Sequence, residues 1–164
     1  IACSAAVLLY PETLLERTRP GIALYGYLSS PELAFALKLP NPLKPVLSWK
    51  TRIAQIKTVD QNEGVGYGLT YKTTRETRLG ILPIGYYDYV LIRGKRAPVR
   101  GRICMNLCMV DLTDIPDASV MDEVVIIGTS GSEVLTADQL ATWCNTISYE
   151  ILARLNPSIP KRIV

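Results

Sequence analysis

Three prolines fall within six residues at Pro40-Asn41-Pro42-Leu43-Lys44-Pro45. Each fixes its own φ, withholds a backbone N–H and pushes the preceding residue toward extended backbone, so neither a helix nor a central strand runs through this segment. The chain is therefore expected to divide here, into residues 1–42 and a larger part spanning residues 43–164. With 164 residues in all, it is long enough to bury a real core.

The two parts differ in texture. Ahead of the prolines the pattern is mixed α and β. Pro11-Glu12-Thr13-Leu14-Leu15-Glu16-Arg17 suits a short helix, with proline in its first turn and Glu12 near the positive end of the helix dipole. Arg19-Pro20-Gly21 breaks that helix. The apolar run Ile22-Ala23-Leu24-Tyr25-Gly26 then reads as a buried strand, or as a backbone that approaches something closely.

Beyond the prolines the pattern is that of a β domain. Residues 46–59 hold β-branched and aromatic side chains in partial alternation, and residues 79–84 form a second short apolar run. Val90-Leu91-Ile92-Arg93 and Arg96-Ala97-Pro98-Val99 predict the arms of a hairpin, with Gly94 supplying the positive φ of its turn. Residues 103–112 and 123–127 add strands. One helix interrupts them: Thr136-Ala137-Asp138-Gln139 is a capping box, and Leu140, Trp143, Cys144 and Ile147 recur at helical spacing. The expected fold is mainly β, a barrel-like carboxy-terminal domain preceded by a segment of α/β character.

Composition narrows the chemistry. Histidine is absent, which removes the commonest acid–base group and the commonest metal ligand together, so Tyr, Lys, Arg or a carboxylate must do any proton work. No apolar run approaches the roughly 18 residues of a membrane helix, and no membrane partner is expected. The net charge of +3 comes from Lys and Arg spread along the chain, which does not argue for nucleic acid. Cys3, Cys104, Cys108 and Cys144 lack zinc-site spacing and read as free thiols of a reducing cytoplasm. The start, Ile1-Ala2-Cys3-Ser4, resembles no secretory leader and suggests a cut through a longer protein.

Several elements carry potential chemistry. Glycines bracket Tyr67 in Gly64-Val65-Gly66-Tyr67-Gly68, placing it at a tip; it is either a structural turn residue or an acid–base group whose pKa, about 10 when unperturbed, cations must lower. Tyr86, in Pro83-Ile84-Gly85-Tyr86, is by itself a core aromatic at a strand end. Arg102 in Gly101-Arg102-Ile103-Cys104-Met105-Asn106 is a strand-end charge unless a ligand claims it. Ser4 with the N–H groups of Gly21 and Ile22 holds the parts of a small phosphate cup, and Arg19 is a surface cation by default.

Taken together and in order, these pieces resemble the alanine racemase family. The matching segments are Ser4-Ala5-Ala6, residues 19–26, Leu43-Lys44-Pro45, residues 66–71, residues 83–86, residues 101–105 and Thr146-Ile147-Ser148-Tyr149-Glu150. The resemblance implies a subunit with an eight-stranded α/β barrel that holds pyridoxal 5'-phosphate (PLP), followed by a β domain, in a head-to-tail homodimer. Residues 1–42 would be the last part of that barrel. The family's PLP-bearing lysine lies near the barrel's start and so falls outside this chain, which alone is expected to be inactive. The implied reaction interconverts L- and D-alanine, a small-molecule amino-acid substrate, for peptidoglycan precursors.

The resemblance also implies roles. Ser4, the backbone of Gly21 and Ile22, and Tyr149 would hold the PLP phosphate, while Arg19 would face the pyridine nitrogen. Tyr67 would be the acid–base group on the face of the substrate opposite the lysine. The backbone at Met105 would meet the substrate carboxylate across the dimer, and Arg102, Ile147, Tyr149 and Tyr86 would lie near the channel. Two departures stand out: Asn106 replaces the family's usual aspartate, and the connection after Asp88 is shorter than the family's by about ten residues. A related serine racemase, an inactive dimerisation piece and an RNA-binding barrel remain as alternatives. The last should alternate aromatic with basic residues along exposed strands, whereas these tyrosines follow glycines.

Overall fold

A computed structural model describes residues 1–37, 43–85 and 89–164 of the chain. Pro40 to Pro42 and Tyr86 lie outside the described residues. The chain forms two compact units, Ile1–Leu47 and Ser48–Val164.

In the first unit β1 (Ala2–Cys3) runs parallel to β2 (Thr18–Arg19), with Cys3 opposite Arg19. Parallel strands need a crossover, and α1 (Ser4–Leu9) supplies it. The helix expected over residues 11–17 is thus corrected. The strong helix formers Ala5, Ala6, Leu8 and Leu9 lie upstream of it. Pro11 disfavours helical backbone at Tyr10, which takes φ −128° and ψ 80°, and only a 3-10 turn, Pro11–Thr13, follows. The strand reading of residues 22–26 is corrected too. Ile22–Tyr25 is a 3-10 turn closed by Gly26 at φ 83°, where a Cβ would lie 1.9 Å from the Lys44 carbonyl oxygen. The alternative, a close backbone approach, is what this glycine provides. A second helix, α2, spans Pro31–Ala36.

The second unit is mainly β. Its strands are β3 (Trp49–Arg52), β4 (Gln55–Val59), β5 (Gly64–Val65), β6 (Tyr71–Lys72), β7 (Thr77–Leu82), β8 (Tyr89–Ile92), β9 (Lys95–Pro98), β10 (Cys108–Asp111), β11 (Glu123–Ser130) and β12 (Glu133–Leu135). One antiparallel sheet has the order β10-β7-β4; another has β12-β11-β8-β9, with β3 also paired to β11. A bridge between Val99 and Val110 continues β9 toward β10. The hairpin β8–β9 turns on Arg93 (φ 49°) and Gly94 (φ 71°), with Ile92 opposite Lys95, so both turn residues are left-handed as the strand twist requires.

The core of this unit is aliphatic. Ile53, Leu82, Ile92, Leu112, Ile126, Ile127, Leu135 and Leu140 are all fully buried, each contributing about 1.5–3 kcal/mol. β11 is covered on both faces, since Val124 to Ile127 are buried in succession. The strand expected over residues 103–112 reduces to β10, because Gly101 turns the chain at φ 73° and a tight turn joins the Cys104 N–H to the Leu107 carbonyl at 3.0 Å.

The capping box is present: Thr136 Oγ1 accepts from the Gln139 N–H at 3.1 Å and Gln139 Oε1 accepts from the Thr136 N–H at 3.0 Å. It starts α3 (Ala137–Trp143), which buries Ala137, Leu140 and Ala141 and lays Trp143 against Val125 and Leu135. Cys144 and Ile147 are exposed and do not extend that buried face. The helix ends first. Asn145 takes φ 51°, its N–H reaching the Thr142 carbonyl and the Thr146 N–H the Ala141 carbonyl, which is the Schellman closure with asparagine in place of glycine. α4 (Ser148–Ala153) follows. No helix among the described residues is long and apolar enough to cross a membrane.

Candidate functional site

Of the site residues foreseen in the second unit, Tyr67 and Arg102 meet at a short hairpin. β5 and β6 pair Gly64 with Lys72 and Val65 with Tyr71, leaving five residues to make the tip. Gly66 at φ 84° and Gly68 at φ 68° turn the backbone on either side of Tyr67. Leu69 adopts φ 53°, a left-handed conformation that costs a branched side chain about 1–2 kcal/mol. Its N–H donates to the Gly66 carbonyl at 3.0 Å, and its side chain lies over Gly64, where a Cβ would come within 2.9 Å. The base of the hairpin is stapled by buried Thr73, whose hydroxyl donates to the Asp60 carbonyl at 2.6 Å and accepts the Glu63 N–H at 2.9 Å. The outcome is a constrained loop that leaves Tyr67 63% exposed.

This tip is fastened to the segment that carries Arg102. The Tyr67 N–H donates to the Arg102 carbonyl at 2.7 Å, and the Arg102 N–H donates to Thr70 Oγ1 at 2.7 Å. The approach is close enough to need glycine on both sides. A Cβ on Gly101 would lie 2.2 Å from the Val65 carbonyl oxygen, and one on Gly66 would lie 2.7 Å from the Arg102 nitrogen. Three residues on, Met105 is 80% exposed, and its backbone rests on Gly85, where a Cβ would meet the Met105 carbonyl oxygen at 2.7 Å. Tyr67, Arg102 and Met105 therefore stand on connected pieces of one surface. Tyr149 lies in the first turn of α4 and is 39% exposed; Ile147, just before that helix, is 62% exposed.

In the first unit the structure brings Ser4 to Gly21. Ser4 opens α1, is buried, and its Oγ accepts the N–H groups of Gly21 at 2.9 Å and Ala23 at 3.3 Å. A hydroxyl oxygen that has accepted two N–H groups keeps its own proton to donate. The space where a Gly21 side chain would stand is open, and Ile22 is anchored by a buried side chain. Arg19 is exposed in β2, beside Cys3, whose thiol is held below its usual range by the N–H groups of Ala6 and then Ala5, with Arg19 a smaller contributor.

Three residues beneath or beside the Tyr67 tip, Arg100, Asp111 and Thr70, were not foreseen. Arg100 donates through Nε and Nη2 to Asp111 Oδ2 at 3.1 and 3.0 Å, and its guanidinium carbon lies 5.0 Å from the centre of the Tyr71 ring. Burial of Asp111 works against its charge, but the Thr113 and Arg100 hydrogen bonds prevail and hold its carboxyl below the usual carboxylate range. The signals were present: an acidic residue ending the apolar run of β10, and a basic one directly before Gly101. Thr70 stood inside a recognised motif without a role assigned to it.

The sequence profile described as "Alanine racemase, C-terminal domain" matches residues 46–163. The chain is 42% identical over 168 residues to the alanine racemase of Halothermothrix orenii, covering 96% of this chain and 43% of that protein. It is 43% identical to alanine racemase 1 of Clostridium acetobutylicum, covering 98% of this chain and 44% of the relative. Among solved structures, alanine racemase from Bacillus anthracis with bound L-Ala-P superposes with a TM-score of 0.85 at 34% identity, covering 94% of this chain and 42% of the other. The Clostridium difficile alanine racemase in complex with cycloserine gives 0.83 at 36% identity, covering 94% and 42%. The chain thus spans less than half the length of these relatives.

Proposed function

Because the chain belongs to the alanine racemase family, of which it carries the carboxy-terminal domain, we propose that it supplies the tyrosine-bearing half of a PLP-dependent racemase that interconverts L- and D-alanine. The observation that carries this reading is Tyr67: an exposed phenol on a tip that glycines turn on both sides and a backbone hydrogen bond ties to Arg102. A racemase needs one proton-transfer group on each face of its substrate, and a rigid projecting tip suits a group that serves a site in a neighbouring subunit. The head-to-tail homodimer is part of the proposal.

The residues present fit the cofactor. Ser4 Oγ accepts the Gly21 and Ala23 N–H groups and has one proton to give, Gly21 leaves open space before its backbone, and the next residue, Ile22, is anchored by a buried side chain. In this reading Ser4, Gly21, Ile22 and Tyr149 would hold the phosphate, and Arg19 would serve the pyridine nitrogen, where its permanent charge would disfavour protonation. When bound, PLP supplies the electron sink that makes the substrate α-proton removable. Tyr67 takes or returns that proton on one face. The Met105 backbone would receive the substrate carboxylate, and Arg102, Ile147 and Tyr149 would line the approach.

The test is racemisation by the full-length protein that carries this domain, with alanine and serine as separate substrates, beside its Tyr67→Phe variant. We expect alanine to be favoured and the variant to lose about 10²-fold or more in kcat/KM. Absence of racemisation, or full activity in the variant, overturns the reading.

A further inference from the structure

We propose that Arg100 is a positioning residue for Tyr67, a latch that sets where the hairpin tip stands relative to the body of the β domain. The proposal rests on the reading of Tyr67 as a proton-transfer group.

Arg100 is the last residue before the segment that grips the tip. On one side it belongs to the body. Its N–H donates to the Met109 carbonyl at 2.8 Å, and its guanidinium places two N–H groups on Asp111 Oδ2, both acceptors being residues of β10. The Asp111 side chain is only 6% exposed, so this pair is fixed in the sheet rather than drifting in solvent. On the other side, the face of the same guanidinium covers the Tyr71 ring, and Tyr71 is the residue of β6 that pairs with Val65. A single planar group thus bridges the sheet and the base of the hairpin.

Directly after it, Gly101 and Arg102 make further attachments to the tip: the Arg102 carbonyl accepts from Tyr67, the Arg102 N–H donates to Thr70, and Gly101 lies against the Val65 carbonyl. Those bonds fix Tyr67 to residues 101–102. Upstream, residues 101–102 are joined to the sheet through Arg100, next to the Val99–Val110 bridge; downstream the chain enters the Cys104–Leu107 turn, whose Met105 backbone rests on Gly85. β5 and β6 are two residues each and form their own two-stranded sheet, so the hairpin gains little alignment from strand pairing alone. A guanidinium suits this role better than an ammonium: it is planar, stacks on an aromatic face, and presents several N–H groups in a fixed fork.

A displacement of about 1 Å at a reacting group is enough to cost on the order of 10²-fold in rate. Loss of the latch should therefore appear as a loss confined to the proton transfer that Tyr67 performs. In the full-length PLP-loaded protein, Arg100→Met, Arg100→Lys and Tyr71→Leu are compared with wild type and Tyr67→Phe by α-hydrogen exchange in deuterated water. L-Alanine and D-alanine are followed separately. Arg100→Met is expected to slow exchange from the enantiomer that depends on Tyr67 by about tenfold or more, to leave the other within about twofold, and to leave KM for alanine nearly unchanged. Tyr71→Leu keeps the ion pair and should show the same one-sided loss. Arg100→Lys keeps the charge but loses the stacked plane, and should fall between.

Equal losses on both faces, or no loss in either Arg100→Met or Tyr71→Leu, overturn the proposal. So does a one-sided loss in Arg100→Met that Tyr71→Leu does not share. Should Arg100→Met fail to fold, Tyr71→Leu decides alone, because it leaves the Arg100–Asp111 pair in place. If Tyr67→Phe itself shows no one-sided loss, the assignment of Tyr67 fails first, and that outcome is distinct from a failure of Arg100 alone.

Discussion

The backbone of Tyr67 and that of Arg102 are joined by an N–H to carbonyl hydrogen bond of 2.7 Å, formed where two glycines let the chains touch. Gly101 sits at φ 73° with no room for a side chain, since a Cβ would lie 2.2 Å from the Val65 carbonyl oxygen. Gly68 has a similar φ of 68°, but the nearest atom to its would-be Cβ is 4.0 Å away. The two alanine variants should therefore separate conformational cost from collision. Gly68→Ala is expected to lose about 1–2 kcal/mol, the left-handed penalty alone. Gly101→Ala should lose clearly more and release the tip. Urea unfolding of both, with amide exchange at Tyr67, measures the difference; equal losses contradict the close contact.

Asp111 gives the domain an acid-sensitive joint. Its folded-state carboxyl lies below the usual aspartate value: burial pushes it up, and the Thr113 and Arg100 hydrogen bonds more than offset that. The unfolded chain, titrating at about 3.9, binds the proton more readily than the folded one. The stabilisation is thus full above about pH 5 and is lost as pH falls through the lower, folded value. Asp111→Asn should destabilise the domain by about 1–3 kcal/mol at neutral pH and flatten the decline below about pH 4. Asp122, held low by its hydrogen bond from Arg93, titrates in the same direction, so its own Asn variant is the control. An Asp111→Asn stability profile parallel to wild type contradicts this account.

Local chemistry was legible wherever a residue's own conformation decided the outcome. The hairpin at Gly94, the cap at Thr136 and the glycine-flanked tip at Tyr67 all follow from what glycine, threonine and glutamine do to backbone near them. What the sequence hid were elements whose stability comes from distant neighbours. β12 is three residues long and exists because β11 pairs with it, and α1 follows a two-residue strand whose partner lies sixteen positions later. The end of α3 was misplaced because asparagine, not glycine, makes the left-handed closure at 145. Among the site residues, Tyr67 and Arg102 were readable separately as motifs. Their bond, and the Arg100–Asp111–Tyr71 arrangement beneath it, depend on register between segments about 10 to 35 residues apart, which no local pattern encodes.

The Ser4 cup predicts a cofactor phenotype. Ser4→Ala removes a hydroxyl that accepts two amides and retains one proton to donate, and on the proposed reading Tyr149→Phe removes a second donor. In the full-length protein each should weaken PLP binding by about 1–3 kcal/mol, with a combined loss that is not the sum. Equilibrium dialysis of PLP checks it. Unchanged affinity in both variants would mean that the phosphate is held elsewhere.

The central claim is that Tyr67 transfers a proton and does not merely shape the site. The measurement that tests it most directly is α-hydrogen exchange by the full-length Tyr67→Phe enzyme in deuterated water, with each enantiomer of alanine supplied separately. If Tyr67 serves L-alanine and the family's cofactor lysine serves D-alanine, phenylalanine deletes one route and leaves the other. Racemisation must fall by the same factor in both directions, about 10²-fold or more, because mirror-image substrates have an equilibrium constant of about one. Exchange must not fall equally: D-alanine should continue to take up deuterium while L-alanine nearly ceases. Equal residual exchange from the two enantiomers would contradict the account and make Tyr67 a shaping residue on an otherwise well-built tip.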